Sequence, residues 1–153
     1  MKKINLKSFL ISVAIPLLVG GLAALITGAG MDFYATINKP ALSPPSWLFP
    51  VVWTILYFLM GVSLYRVREK ACGKCAVRIF AAQLAVNFIW SIVFFNARAY
   101  LAAFILIIVL WAAILAMIAS FHKCDKVAAY LQIPYFFWVT FAAYLNWAIY
   151  ALN

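Results

Sequence analysis

Five long apolar segments constrain this chain more than any other feature of its sequence. Each is near or above the roughly 17–25 residues that an α-helix needs to cross a bilayer. Alternating patterns about ten residues long, which are typical of transmembrane β-strands, are absent. The sequence therefore predicts an all-α membrane protein, a single domain over residues 1–153 built as a five-transmembrane-helix bundle. The predicted spans, none of which contains Asp, Glu, Lys or Arg, are 9–26, 49–65, 79–96, 100–121 and 127–152.

Two other interpretations of these segments are disfavoured. A soluble domain is disfavoured by composition, because only 10% of the residues are charged, against about 25% in soluble proteins. A secretory signal peptide is a competing interpretation of MKKINLKSFLISVAIPLLVGG, which begins with basic residues and continues into an apolar run. That run is longer than the roughly 7–15 residues of a signal-peptide core. We therefore favour a first transmembrane helix over a signal peptide.

Basic residues are distributed very unequally between the predicted loops. With five spans, ten of the twelve Lys and Arg residues fall on the side that holds the N-terminus and residues 66–78 and 122–126. The other side has only Lys39 and Arg98. The positive-inside rule then predicts a cytoplasmic N-terminus and an outer C-terminus, with the proline-rich loop near residue 44 facing outward. This topology and the anionic lipid beside it account for the net charge of +9, so we expect no nucleic-acid partner.

All three cysteines lie on the predicted cytoplasmic side, where a structural disulfide is not expected. Cys72 and Cys75 form a Cys-X-X-Cys pair, and His122 and Cys124 lie in the neighbouring loop. These four side chains could in principle bind zinc. A lone Cys-X-X-Cys pair is a weak signal, however, so we expect free loop thiols and no metal site.

Conventional catalysis has almost no candidate residues in this sequence. No ionisable residue other than tyrosine lies inside any predicted span, and the acidic residues Asp32, Glu69 and Asp125 are all in predicted loops. General acid–base and nucleophilic mechanisms need such groups together in one site. The sequence therefore favours binding over ordinary enzymatic turnover.

Uncharged polar and aromatic residues recur every four positions in three spans and so share one face of each helix. For Gln83 and Asn146 we favour interhelical hydrogen bonds. For Asn87, which is flanked by Trp90, simple packing and a ligand pocket are equally supported. The three stripes are Trp53, Tyr57 and Gly61; Gln83, Asn87 and Ser91; and Pro134, Trp138 and Ala142.

Two further features concern how the helices pack. Pro134 predicts a kink near the start of the fifth span. Small residues predict close approach of helices, either within the bundle or between two copies of the chain. These residues are Gly20, Ala24 and Gly28 in the first span and Ala81 and Ala85 in the third.

Three segments give the chain a family resemblance. KPALSPPSWLFPVVWTILYFLMG, NFIWSIVFF and PYFFWVTFAAYLNWAIYALN resemble the TspO/MBR family, which is also known as the translocator proteins, tryptophan-rich sensory proteins and peripheral benzodiazepine receptors. The resemblance extends from about Tyr34 to the C-terminus. The C-terminal cholesterol motif of eukaryotic members is absent, since the last basic residue is Lys126. The chain therefore resembles a bacterial member.

The resemblance implies a tetrapyrrole ligand, protoporphyrin IX or haem, with no required cofactor. It implies transport, sensing or regulation of tetrapyrroles in a homodimer in the bacterial inner membrane, with the alanine pair of the third span at the dimer contact. Light-dependent degradation of protoporphyrin IX would make Trp53 and Trp138 catalytic, although the scarcity of acid–base groups favours binding over an enzyme. The alternative function is a structural or regulatory subunit of a membrane complex. The ligand-binding residues implied are Tyr34, Pro44, Trp53, Tyr57, Asn87, Trp90, Trp138 and Ala142.

Overall fold

The computed structural model of the protein describes residues 5–153 and consists of helices joined by short loops. Among the described residues there is no β-strand, and five helical segments are long and apolar enough to cross a membrane. The predicted all-α class and the five spans are thus confirmed. The helices are α1 (Leu6–Tyr34), α2 (Leu48–Arg68), α3 (Gly73–Phe95), α4 (Tyr100–Cys124), α5 (Lys126–Tyr130) and α6 (Ile133–Leu152).

Polarity is distributed as expected for a bundle surrounded by lipid. Large aliphatic side chains such as Leu18 and Leu25 point outward, and Leu25 is 83% exposed. The amides of Gln83, Asn87 and Asn146 are instead fully buried. An amide in hydrocarbon needs a partner, so the uncharged polar residues gather where the helices face one another. The chain is a multi-pass membrane protein.

Two helices, α1 and α3, extend furthest beyond the predicted spans. The first predicted span stops at residue 26, whereas α1 continues to Tyr34. Gly30 lies inside this helix and does not end it. A side chain at Gly30 would collide with the carbonyl of Phe95, so the glycine permits close packing of α1 on α3. Similarly, α3 begins at Gly73 rather than at residue 79. The basic residues excluded from the predicted span are compatible with a helix that continues past the apolar core.

The fifth span is broken rather than merely kinked. It divides at Leu131 and Gln132 into α5 and α6, and Pro134 occupies the first turn of α6. Because proline has no amide hydrogen, it cannot donate to the carbonyl of Tyr130, and it fits best where a helix begins. Gln132 is fully buried at the break, and its Nε2 donates to Ser63 Oγ on α2 at 2.6 Å.

One end of the bundle, which we call the basic end, brings together the α2–α3 loop and the α4–α5 junction. Asp125 accepts from Arg66 at 3.1 Å and caps α5 by accepting from the backbone N–H of Ala128 at 3.0 Å. Lys70 lies 3.8 Å from the same carboxylate. These contacts join α2 to the start of the fifth span.

A disulfide between Cys72 and Cys124 spans the same two segments. The expectation of free thiols there was wrong for these two residues, because folding brings loops 52 residues apart to a Cα–Cα separation of 5.8 Å, within the usual disulfide range. Cys75 remains free and exposed. Two of the four candidate zinc ligands are thus bonded to each other, and within residues 5–153 no group of three His, Cys, Asp or Glu side chains is placed to hold a metal.

Candidate ligand-binding site

A cavity of about 230 Å³ lies between α1, α2 and α3, in the half of the bundle away from the basic end. On α1 it is lined by the small residues Gly20, Ala23 and Ala24, with Thr27 one turn further on. Small side chains leave space beside a helix that leucines would fill. The opposite walls, from α2 and α3, are Phe49, Pro50, Trp53, Tyr57, Trp90, Ser91 and Phe95.

Aromatic rings on α2 and α3 supply five of the eleven residues that line this cavity. The Trp53 ring lies 5.5 Å from Tyr57 and 6.4 Å from Trp90, with interplanar angles of 30° and 33°. The Trp53 ring is therefore only moderately tilted from each of the other two. Such a set offers broad apolar faces to a flat ligand.

A hydrogen-bonded group on α3 and α6 lies next to the cavity. Tyr135 is buried with its ring 6.1 Å from Trp53. Its hydroxyl donates to Gln83 Oε1 and accepts from Asn87 Nδ2, both at 3.0 Å. The interhelical hydrogen bond predicted for Gln83 is confirmed, and Asn87 belongs to the same group.

A second, much smaller cavity of about 20 Å³ adjoins the first on the side of α6. Phe49, Trp90 and Phe95 line both cavities and so form the wall between them. Asn146 at its edge accepts from Trp90 Nε1 at 3.1 Å and donates to the carbonyl of Tyr100 at 3.0 Å. Asn146 therefore ties α6 to α3 and α4, as its interhelical interpretation predicted, and holds the Trp90 indole in place.

The eight residues predicted to bind ligand are not all in one place. Trp53, Tyr57 and Trp90 line the larger cavity, while Tyr34 and Ala142 line the smaller one with Trp90. The other three residues line neither cavity. Pro44 lies in the loop before α2, Asn87 lies at the Tyr135 group, and Trp138 packs against Phe49 at 5.9 Å. Contact of any of them with a ligand stays a prediction.

Sequence reasoning did not place the α1 wall at a cavity. Gly20 and Ala24 were predicted to permit close approach of helices. Both line the cavity, and Gly20 also packs closely on α2, as predicted. A side chain at Gly20 would collide with the ring of Tyr57. Spacing of small residues every four positions signals either close helix packing or a cavity wall, and the sequence alone does not separate these outcomes.

The chemistry available in the cavity is binding through apolar and aromatic surface. None of the described lining residues is charged. The two aliphatic hydroxyls on the wall donate to backbone carbonyls of their own helices, Thr27 to Ala23 at 2.8 Å and Ser91 to Asn87 at 3.1 Å. Among the lining residues that the structure describes there is no Asp, Glu, His, Lys or Cys.

The proline-rich loop and Lys39 lie at the end of the bundle that is nearer the cavities. Lys39 Nζ is 5.0 Å from the centre of the Tyr34 ring and donates to the carbonyl of Ala35 at 3.3 Å. Asn153 Nδ2 donates to the carbonyl of Asn38 at 3.0 Å, which ties this loop to the end of α6. A cation therefore lies close to the smaller cavity.

The chain is similar over most of its length to a protein-family model and to several known proteins. The model of the TspO/MBR family matches residues 12–152. The chain is 42% identical over 125 residues to the tryptophan-rich protein TspO of Chlorobaculum tepidum, covering 79% of each protein. It is 38% identical over 122 residues to the tryptophan-rich sensory protein of Cereibacter sphaeroides, covering 80% of this chain and 77% of that one. It is also 32% identical over 133 residues to the human translocator protein, covering 84% and 79% respectively.

Proposed function

The chain belongs to the TspO/MBR family, and we propose that it binds a tetrapyrrole, protoporphyrin IX or haem, within the membrane in order to sense or carry it. The observation that carries this proposal is the cavity between α1, α2 and α3, with small residues on one wall and aromatic rings on the others. This arrangement suits a flat, largely apolar macrocycle.

The walls supply the interactions that such a ligand needs. Stacking against Trp53, Tyr57 or Trp90 contributes roughly 0.5–1.5 kcal/mol per ring beyond the burial of apolar surface. The small side chains of Ala23 and Ala24 leave room for the ligand beside α1. Lys39, over the Tyr34 ring, is the cation best placed to meet a propionate carboxylate at the rim.

Size requires the larger cavity to expand when the ligand binds. The larger one measures about 230 Å³, below the roughly 300–1,000 Å³ of a typical ligand pocket. Phe49 and Phe95 in the shared wall are only half-buried. Rotation of these two side chains would join the cavities and bring Tyr34 and Ala142 into one site with Trp53.

The proposal includes a location and an oligomeric state. We place the protein in the bacterial inner membrane with its basic end in the cytoplasm, as the distribution of Lys and Arg favours. We also propose a homodimer through α3, where Ala81 and Ala85 are exposed and line a shallow concavity with Val19 and Leu22. Small residues on an outward face allow two helices to approach closely in lipid.

The proposed binding of a tetrapyrrole does not require that the protein also degrade it. Light-dependent breakdown of protoporphyrin IX would place an indole against the ligand, and Trp53 is on the cavity wall whereas Trp138 stands behind Phe49. We therefore propose ligand binding as the primary function. If photochemistry accompanies it, Trp53→Phe should abolish a product that Trp138→Phe still forms.

A titration of the purified protein with protoporphyrin IX, followed by the shift of the porphyrin absorption band, tests the proposal. We expect saturable binding that weakens about fivefold in Trp53→Leu, because one ring contact of roughly 1 kcal/mol is lost. Trp147→Leu is the matched control, since Trp147 is 49% exposed on the outside of α6. Absence of saturable binding, or equal weakening in both variants, would contradict the proposal. Flux of the ligand into liposomes then distinguishes a carrier from a sensor.

A further inference from the structure

A second site lies at the basic end, between α1, α2 and the start of α3. It is an open groove of about 470 Å³ that shares no lining residue with either cavity described above. Its walls come from α1, α2 and α3, and the lining residues are Ile11, Ile15, Leu64, Arg68, Gly73, Lys74, Val77 and Arg78. The tetrapyrrole proposal makes no use of this groove.

The α1 wall of the groove is apolar and open to the surrounding lipid. Ile11 and Ile15 are 44% and 41% exposed, while Leu64 beneath them is buried. Val77 on α3 is half-buried on the opposite side. A hydrocarbon chain lying in this channel would contact side chains from three helices, which is more than it gains on a single outward helix face.

Three cations stand on the rim of the same groove. Lys74 and Arg78 are one helical turn apart on α3 and so project from the same face, and both are exposed. Arg68 is held nearby by donating from Nη1 to Ser12 Oγ at 3.2 Å. Gly73 brings these charges together, because a side chain there would meet the carbonyl of Val67, so only glycine lets α3 begin so close to the end of α2.

These positive charges are poorly neutralised by the protein itself. Within the described part of the chain, neither Lys74 nor Arg78 has a carboxylate within 4.0 Å, and Arg68 has only the exposed Glu69 at 3.8 Å. The amino end of α3, whose dipole favours anions, also opens here. The groove thus combines an apolar channel with an unmatched cluster of cations at one end.

We propose that this groove binds one anionic phospholipid of the surrounding bilayer. Its phosphate would lie between Lys74 and Arg78, and one acyl chain would follow Ile11 and Ile15. A soluble phosphate would use the cations but leave the apolar channel empty, whereas a lipid with a neutral headgroup would use only the channel. Basic pockets between transmembrane helices are suited to anionic headgroups for this reason.

Native mass spectrometry of the full-length protein tests the site. The protein is equilibrated with equal amounts of phosphatidylglycerol and phosphatidylcholine that have identical acyl chains. We expect one retained phosphatidylglycerol, preferred by at least about tenfold, since each nearby Lys or Arg favours an anionic headgroup substantially. In Lys74→Gln/Arg78→Gln this preference should disappear. The exchanged pair Lys74→Arg/Arg78→Lys should keep it, because the charges remain.

The matched control is Lys123→Gln/Lys126→Gln, which removes the same charge from the basic end without touching the groove. We expect it to retain the lipid preference of the wild type. Equal retention of both lipids by the wild-type protein would overturn the proposal. So would equal loss in the two glutamine variants, since that shows general surface attraction, and so would displacement of the bound lipid by millimolar glycerol phosphate, since that shows a site for a soluble anion.

Discussion

The two halves of this bundle are held together in different ways. Near the basic end, Ser63 Oγ donates to the carbonyl of Ala128 at 3.1 Å and accepts from Gln132 Nε2 at 2.6 Å. Arg66 and Asp125 form an ion pair at 3.0 Å in the same half. In the half that contains the cavities, rings dominate, and Tyr34 lies within about 6 Å of both Phe49 and Phe95.

The two halves differ in the free-energy cost of breaking the contacts that hold them together. Breaking a buried hydrogen bond leaves a donor or acceptor unpaired, at a cost of about 1–3 kcal/mol. Separating two rings to admit a third flat group replaces one apolar contact with another. Asn146 also ties α6 to α3 and α4 in the cavity half. If these hydrogen bonds stay in place, the rings around them can separate without leaving a polar group unpaired.

The largest expected effect on stability comes from Gly61. This residue lies in the half near the basic end, which we call the tied half because polar contacts hold it together. A side chain there would meet the Cα of Val13 on α1, so Gly61→Ala must push two helix backbones apart. We expect a loss of about 2–3 kcal/mol of unfolding free energy, as for other overpacked positions. Thermal unfolding in detergent measures it, with Gly21→Ala as control because nothing lies within 4 Å of that position. Equal stability of the two variants would mean that the tied half is no tighter than the rest.

Tyr135 marks the boundary between the halves. Tyr135→Phe removes the donor to Gln83 and the acceptor for Asn87 and leaves both amides buried. We expect a loss of about 2 kcal/mol, toward the upper range for hydrogen bonds in membrane proteins. Tyr130→Phe, at a site that is 57% exposed, should change the unfolding temperature little. If both changes are equally mild, the buried amides have found other partners.

Gly20 tests whether the half that contains the cavities, which we call the ring half, can change without loss of stability. Gly20→Ala forces the Tyr57 ring to move, and this ring moves more easily than a backbone. We expect protoporphyrin IX affinity to fall about tenfold, or roughly 1.4 kcal/mol, while the unfolding temperature stays close to wild type. Gly21→Ala is again the control, now in the binding titration. A fall in stability as large as that of Gly61→Ala would erase the distinction between the halves.

The smallest expected effect concerns pH and Asp125. Burial would raise the pKa of this carboxyl, but hydrogen bonds from Ala128 and Arg66 and the charges of Arg66 and Lys70 outweigh burial and lower the pKa below 3.8. A lowered pKa stabilises the folded state above the ordinary value, and this contribution is lost as the pH falls through the lowered pKa. Asp125→Ala should therefore cost about 1 kcal/mol at pH 7 through the lost helix cap.

Unfolding temperatures measured between pH 7 and pH 2 check this prediction. The difference between wild type and Asp125→Ala should persist down to about pH 4 and shrink below it. Asp125→Asn keeps a capping oxygen without a charge, so its stability should change less and should not vary with this ionisation. A difference that shrinks already between pH 7 and pH 5 would show that the carboxyl titrates elsewhere.

Apolar run length was sufficient to predict the five spans, because a bilayer imposes its own thickness on any helix that crosses it. Their ends were less predictable, since residues such as Gly30 serve packing on Phe95 rather than helix termination. The sequence predicted a kink at Pro134, whereas the structure has a complete break just before this residue. This break depends on Gln132 finding Ser63 on another helix.

The candidate site was predictable in its aromatic half only. Trp53 and Tyr57 follow from four-residue spacing, and both reach the cavity. Trp138 and Ala142 share the same spacing, yet the Trp138 ring turns onto Phe49 while Ala142 lines the smaller cavity. Which way a large side chain turns depends on what stands across from it, and periodicity within one helix does not contain that information.

The bond between Cys72 and Cys124 has a consequence for how the chain is made. Its two ends are 52 residues apart, and the segment between them contains α3 and α4. At about 5–20 residues per second, synthesis reaches Cys124 roughly 3–10 s after Cys72. The bond cannot close before both helices have been synthesised and their ends have met. Because the cytoplasm is reducing, a non-reducing gel of a chain that is pulse-labelled under oxidising conditions would record when that helical hairpin is complete.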